Sequence, residues 1–290
     1  MADGILIIDK PSGWTSMDVC AKLRGVFHEK RIGHGGTLDP MATGVLPVFI
    51  GRATRAVEFA DKSDKEYVAQ LQLGVITNTQ DMSGTVLEQR PVSVTEEALD
   101  GALSLFRGEI DQVPPMYSAI KIGGQKLYEL ARKGHEVERP PRRVTIRSLT
   151  VERREAPDRF TLRVRCSKGT YVRTLCHDIG QALGCGGCMA SLRRTEAAGF
   201  SLSDAVTLEQ VLEAEDPLAL LLPVDAYFAG RPMLILRGAE EKKLRNGMTL
   251  TAPPELSPGE LRVYGENGEF LALCRCDGGR LITIKSFFKV

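Results

Sequence analysis

The run Gly33-His34-Gly35-Gly36-Thr37-Leu38-Asp39-Pro40 carries an imidazole and a carboxylate through a stretch that suits neither a helix nor a plain strand. Glycine is too free, and proline too constrained, for the interior of either element. The stretch therefore folds as a shaped loop, continued by Met41-Ala42-Thr43-Gly44 and anchored by the apolar segment 45–50. A carboxylate displayed on such a loop can serve as nucleophile, proton acceptor or partner of a developing positive charge. Two plainer readings compete, with Asp39 as a turn-forming acid ahead of Pro40 and His34 as a structural histidine. The glycine spacing matches neither the G-x-G-x-x-G fingerprint nor a phosphate loop ending in Gly-Lys-Ser/Thr, which argues against a nucleotide cofactor.

The elements that must hold this loop follow from periodicity. Residues 4–9 read as a buried strand halted by Lys10-Pro11-Ser12-Gly13. Thr15 or Ser16 caps a helix with Val19, Leu23, Val26 and Phe27 on one face. A short helix is expected at 55–61, an alternating strand at 67–75, and a helix running from a Ser93/Glu96 capping box to Phe106. Beyond them come a helix at 127–133 ended by Gly134, strands at 144–152 and 160–166, a helix at 171–183, and a capping box at Thr207 and Gln210. Strands and helices mix without regular βαβ spacing, which predicts an α+β fold rather than a doubly wound one. From about Gly230, short β-rich segments alternate with Pro-Pro, Pro-Gly, Asn-Gly and Gly-Gly turns, the pattern of a small appended β-barrel.

With 43% hydrophobic and 26% charged residues, the 290-residue chain can pack a sizeable core, which argues against disorder. No apolar run approaches the length of a bilayer, and the N-terminus lacks the basic start and cleavage site of a signal peptide; a cytoplasmic protein is expected. Seven cysteines, an odd number without a framework, are expected as free thiols. Cys185-Gly-Gly-Cys188 has no second pair at zinc-finger spacing and reads as two buried small hydrophobes. The net charge of +1 conceals an uneven distribution: residues 121–194 hold 17 Lys and Arg against 7 Asp and Glu, and the rest of the chain 21 against 30. A basic segment in a near-neutral protein favours RNA or DNA over a small neutral substrate.

The loop and its continuation, Gly-His-Gly-Gly-Thr-Leu-Asp-Pro-Met-Ala-Thr-Gly-Val-Leu-Pro, closely resemble the catalytic motif of the TruB family, the bacterial tRNA pseudouridine-55 synthases. Four further segments match in order: Ile8-Asp9-Lys10-Pro11-x-Gly13-Trp-Thr-Ser, Asp64-Lys65-x-Tyr67, Val113-Pro114-Pro115-Met-Tyr117-Ser118-Ala119-Ile-Lys121, and Lys168-Gly169-Thr170-Tyr171-Val-Arg173-Thr-Leu. Ser191-Leu192-Arg193-Arg194 also fits, and position 36 departs from the pattern, being Gly where the family often has Thr. The resemblance runs from about residue 4 to about 228, and the β-rich tail resembles the family's PUA-type domain.

This resemblance implies a pseudouridine synthase fold, with a mixed and mainly antiparallel sheet in a catalytic domain over 1–229 and a PUA-like RNA-binding domain over 230–290. It implies isomerisation of a T-loop uridine to pseudouridine, with no redox cofactor, metal or ATP, by a monomer acting on the T-arm of tRNA without an obligate protein partner. Asp39 would be the catalytic aspartate, attacking C1′ or C6 or deprotonating C2′. Arg173 would pair with it, and a guanidinium lowers a carboxylate's pKa and orients it. Tyr67 would stack on the extruded uracil, Tyr171 and Leu192 would line the pocket, and His34 would fill the gap left in the RNA. Lys10-Pro11 and Tyr117 would support the floor of the site. Arg132, Lys133, Arg139, Arg142, Arg143, Arg193 and Arg194 would contact phosphates. A non-catalytic RNA-binding module would need no such combination as Asp39, Arg173 and Tyr67. A nucleoside hydrolase is disfavoured by the basic segment and by the lack of a second acidic partner.

Overall fold

The apolar run near the N-terminus forms a fully paired antiparallel strand toward one edge of the main sheet. In the computed structural model, which describes residues 2–289, β1 (Gly4–Lys10) pairs along its whole length with β3 (Thr43–Ile50). Between them lie α1 (Ser16–Phe27) and the short strand β2 (Ile32–His34). Thr15 caps α1: its hydroxyl accepts the Asp18 N–H at 3.0 Å while the Asp18 carboxylate accepts the Thr15 N–H at 2.9 Å. Val19, Leu23 and Phe27 are buried, as the helical spacing requires.

Helix α2 (Val57–Lys62) leads into β4 (Lys65–Leu73), in which buried Lys65, Tyr67, Ala69 and Leu71 alternate with half-buried Glu66, Val68 and Gln70. A hairpin of β5 (Val75–Thr77) and β6 (Val86–Gln89) follows, then α3 (Glu96–Ser104), β7 (Gly108–Gln112) and a small hairpin of β8 (Lys121–Ile122) and β9 (Gln125–Lys126). After α4 (Leu127–Arg132) come the long strands β10 (Arg142–Ala156) and β11 (Arg159–Cys166), then α5 (Val172–Ala182) and β12 (Gly187–Ala197). Strands β13 (Phe200–Ser201) and β14 (Val206–Thr207) complete a ten-stranded sheet of order β14-β1-β3-β12-β4-β11-β10-β7, with β2 beside β3 and β13 beside β12. Only the β1–β14 and β3–β12 pairings are parallel, so the sheet is mixed and mainly antiparallel, as the α+β reading requires.

The C-terminal segments form a second, five-stranded sheet from β15 (Met233–Ile235), β16 (Leu250–Thr251), β17 (Gly259–Tyr264), β18 (Phe270–Asp277) and β19 (Arg280–Ser286), in the order β15-β17-β18-β19-β16. The Asn267-Gly268 turn joins β17 to β18, with Gly268 at φ +80°. This sheet has its own core of Leu261, Val263, Leu271 and Leu281, and it meets the rest of the chain where Phe270 and Phe287 pack on Phe228. Two elements there escape the sequence reading for physical reasons: β15 is short and largely exposed, and α6 (Gly238–Arg245) buries only Leu244. The cap of α3 also differs from the expected Ser93. Thr95 takes that position, its hydroxyl accepting the Ala98 N–H at 3.2 Å, and the helix stops at Ser104. All seven cysteines are free and buried. Among the described residues, no helix is long and apolar enough to cross a membrane.

One seam in the main sheet decides where the loop stands. Strands β3 and β12 join only through Thr43 opposite Arg193 and Gly44 opposite Arg194, while β2 pairs with Val48–Ile50 further along the same edge of β3. Residues 35–42 leave the sheet where that edge passes from β2 to β12. Gly44 has φ +101°, and a Cβ there would lie 2.1 Å from the Arg194 carbonyl oxygen. Gly44→Ala is therefore expected to destabilise the fold by about 2 kcal/mol or more. Urea unfolding reads this directly, and an unchanged midpoint would show that the seam tolerates a side chain.

Candidate active site

Hydrogen-bonding groups from both sides of the seam hold the loop by its backbone. On one side, the Ser16 hydroxyl accepts the Leu38 N–H at 2.9 Å, and the Gly13 N–H donates to the Pro40 carbonyl at 2.8 Å. Lys10 is fully buried, and its ammonium donates to the carbonyls of Pro11 (2.8 Å), Trp14 (2.6 Å) and Pro40 (3.2 Å). On the other side, Arg194 is 1% exposed and spends its guanidinium on the loop: Nε donates to the Val45 carbonyl at 2.7 Å and Nη2 to the Gly36 carbonyl at 3.1 Å. One side chain thus ties together the arms that enter and leave Asp39. The Ala42 N–H closes a turn onto the Asp39 carbonyl at 3.0 Å, so the carboxylate projects from a braced turn.

Arg194 was expected at the phosphates, and its burial corrects that. Arg193 and Arg194 are adjacent on a strand, so they point to opposite faces. Arg193 turns outward to a two-nitrogen pairing with Asp9, at 2.7 and 3.1 Å. Within the basic segment, Arg143 is engaged with Asp111 and Glu109, and Arg139 with Glu136.

Arg173 lies in the first turn of α5 with its side chain 7% exposed. Its Nη2 reaches both Asp39 oxygens, Oδ2 at 3.1 Å and Oδ1 at 3.3 Å, and donates to the Tyr117 carbonyl at 2.9 Å. Its Nη1 faces Asp81 Oδ2 at 3.8 Å. The expected pair is present, but the guanidinium bridges two carboxylates rather than gripping one with two nitrogens.

Asp81 was not anticipated from the sequence. It sits in the loop between β5 and β6, where Thr79 Oγ1 and the Ser83 N–H donate to Oδ1 at 2.8 and 3.0 Å. That loop docks on β12 and α5: the Met82 N–H donates to the Met189 carbonyl at 3.0 Å, and Thr174 Oγ1 donates to Gln80 Oε1 at 2.7 Å. The only signal for Asp81 was the turn-rich run Asn78-Thr79-Gln80-Asp81-Met82-Ser83-Gly84, which any hairpin loop could carry.

Burial governs the ionisation of the site. It pushes the Asp39 carboxyl above the usual carboxylate range; Arg173 and Lys10 pull it down, and Asp81 pushes it up. The expectation that the guanidinium would leave a depressed carboxylate is thus reversed by desolvation. Burial also lowers Lys10 to about 8, against the attraction of Asp39.

The remaining expected residues divide into two groups. Tyr67 on β4 lies opposite Arg194 and, two residues along, Ala69 lies opposite Leu192; Tyr67 and Leu192 therefore share a sheet face. Both belong to one apolar cluster with Leu38 and Ala42 of the loop and Val172 of α5. Burial raises the Tyr67 hydroxyl's pKa, with Arg194 opposing. Tyr171 is half-buried, and its ring centre lies 6.0 Å from the Arg173 guanidinium carbon. His34 stands apart at the end of β2, beside Val48, its Nδ1 buried without a hydrogen-bond partner. Burial, helped by Arg194, lowers its pKa and keeps the imidazole neutral at pH 7. Among the described residues, no group of three His, Cys, Asp or Glu side chains is placed to hold a metal ion.

Comparison with known proteins identifies the family. Residues 24–172 match the model of the TruB family pseudouridylate synthase N-terminal domain, and residues 173–229 match that of the tRNA pseudouridylate synthase B C-terminal domain. The chain belongs to the TruB family. Both halves of the Asp39–Arg173 pair fall inside these matches. A tRNA pseudouridine synthase B of Clostridium kluyveri is 43% identical over 275 residues, covering 93% of this chain and 94% of the relative. The protein of that name from an Azoarcus species is 47% identical over 285 residues, covering 97% and 93%. Among solved structures, a chain in the crystal structure of a Cbf5-Nop10-Gar1 complex superposes with a TM-score of 0.74 over 99% of this chain and 85% of that one, at 26% identity. The fold is the mixed, mainly antiparallel one expected of a TruB-type synthase, with the C-terminal sheet as its PUA-like part.

The folded Asp39 carboxyl titrates above its unfolded value, so ionising it costs stability, a cost present once the pH has risen through both values. Asp39→Asn is expected to melt at or above the temperature of the parent protein at pH 7. Thermal unfolding checks this, and a fall of several degrees would mean that the attraction of Arg173 outweighs desolvation.

Proposed function

We propose that this chain isomerises the T-loop uridine at position 55 of tRNA to pseudouridine, with Asp39 as the catalytic carboxylate. The observation that carries the proposal is the Asp39–Arg173 pair, mounted on a turn that Lys10, Ser16 and Arg194 hold from both sides. In the reaction the C1′–N1 bond breaks, the uracil turns, and a C1′–C5 bond forms; C5 loses its proton and N1 gains one. Attack at C1′, attack at C6 and deprotonation at C2′ all require an ionised carboxylate, and Arg173 orients it for any of them.

The target base lies within folded RNA and must be extruded before reaction. Tyr67 offers the aromatic face for it, Tyr171 and Leu192 line the pocket, and His34, a neutral ring at the far end of the loop, occupies the space it leaves. Arg132, Lys133, Arg142 and Arg143 are exposed and supply phosphate contacts. Residues 1–229 form the catalytic unit, and residues 230–290 add contacts to tRNA outside the T-loop. The protein works as a monomer in the cytoplasm, without an obligate protein partner. The bacterial relatives of matching length, named for action on tRNA, support this reading.

Asp39→Asn is expected to abolish tritium release from a T-arm hairpin labelled at uracil C5, while hairpin binding is retained. Arg173→Lys is expected to lose about 100-fold in rate, since an ammonium cannot span two carboxylates and a carbonyl as a planar guanidinium does. The single-turnover rate of the parent should fall on acidification, beginning at a higher pH than the ordinary aspartate value would give, because the ionised Asp39 is the active form. Turnover by Asp39→Asn, or a rate that stays flat down to about pH 4, would overturn the assignment.

A further inference from the structure

We infer that Gln112 is a positioning residue for the reaction, its side-chain amide fixing the backbone of Tyr171 and with it the start of the helix that carries Arg173; the inference rests on the function proposed above. Gln112 ends β7, the outermost strand of the main sheet, opposite Arg142 of β10, and it is 2% exposed. Its amide is turned onto a single residue. Oε1 accepts the Tyr171 N–H at 2.8 Å, and Nε2 donates to the Tyr171 carbonyl at 3.1 Å.

That carbonyl is also the acceptor of the first helical bond of α5, from the Leu175 N–H at 3.0 Å. Both of its lone pairs are therefore used, one to start the helix and one to hold it against β7. The Tyr171 side chain makes no capping bond to α5, so the clamp determines the residue at which the helix begins. The same stretch of chain grips α5 a second time, five residues further on, where the Tyr117 carbonyl accepts from Arg173 Nη2.

An amide is costly to bury, and a leucine would pack the end of an edge strand with no such cost. What the amide adds is a fixed Tyr171 backbone. If the clamp is lost, the Tyr171 ring and the Arg173 guanidinium move together, and the contact at 3.1 Å to Asp39 moves with them. Displacements of about 1 Å at such contacts cost orders of magnitude in rate. Gln112 itself touches no reacting atom.

The test uses the full chain carrying Gln112→Leu or Gln112→Glu, with single-turnover conversion of a T-arm hairpin at saturating RNA, hairpin Kd, and thermal unfolding. Gln112→Leu should lose tenfold or more in rate while its Kd stays within about threefold of the parent's, because phosphate contacts dominate affinity. Gln112→Glu restores both bonds when protonated, but when ionised it has no donor for the Tyr171 carbonyl. Its rate relative to the parent should therefore fall as pH rises through the glutamate titration, a signature that a role in packing alone would not give. If Gln112→Leu unfolds, the Gln112→Glu ratio decides: independence of pH overturns the inference. Parent-like rates in both variants overturn it too. A parent protein that converts no uridine would overturn the proposed function itself, a result distinct from an active parent with an indifferent Gln112.

Discussion

The buried guanidinium of Arg194 is the constraint on which the site depends. A cation removed from water is tolerated only where its donors are met, and among the described residues no ion pair is found for this one. Backbone carbonyls on both arms of the Asp39 loop meet them instead. The loop satisfies the arginine, and the arginine fixes the loop. This is possible because Gly44 lets β3 approach β12 more closely than any side chain would permit. Lys10, from the opposite side, is also buried and met by three carbonyls, of which that of Pro40 belongs to the loop. The result is a glycine-rich loop that owes its shape to bracing on two sides and presents its carboxylate already aimed, which is what electrostatic preorganisation requires.

The charge of the site follows from the same burial. Arg173 and Lys10 favour an ionised Asp39, yet desolvation and the nearby Asp81 win, and the carboxyl titrates high. Such a carboxylate, when ionised, is held at some cost in stability. Asp81 lets one guanidinium serve two acids, so Arg173 is held from behind as well as in front. One buried apolar cluster joins Leu38 and Ala42 of the loop to Tyr67 and Leu192 of the sheet.

Much of this was legible in the residues. Glycine and proline around Asp39 ruled out regular structure, the capping residues Thr15 and Ser16 marked the start of α1, and the alternation at Tyr67, Ala69 and Leu71 placed β4. The failures share a cause. Arg193 and Arg194 are both charged, so the alternation that sends one outward and the other into the core leaves no mark in hydropathy. Asp81 and Gln112 are polar residues in a turn and at a strand end, where polar residues are ordinary; only the fold, by placing them against α5, makes them part of the site. Ser93 and Thr95 are equally good caps, and three-dimensional context chose the second. Local signals name the residues that break patterns, and they are silent on those that obey a pattern while serving another purpose.

The decisive measurement is a crystal structure of the parent protein bound to a T-arm hairpin with 5-fluorouridine at the target position. The fluorinated nucleotide is expected outside the RNA stack, its ring on Tyr67 and its sugar or base in contact with the Asp39 carboxylate. Gly36 and Val45 are expected to keep their bonds to Arg194. A nucleotide seated away from Asp39, or a loop that has let go of Arg194 to reach it, would overturn the role given to the braced loop.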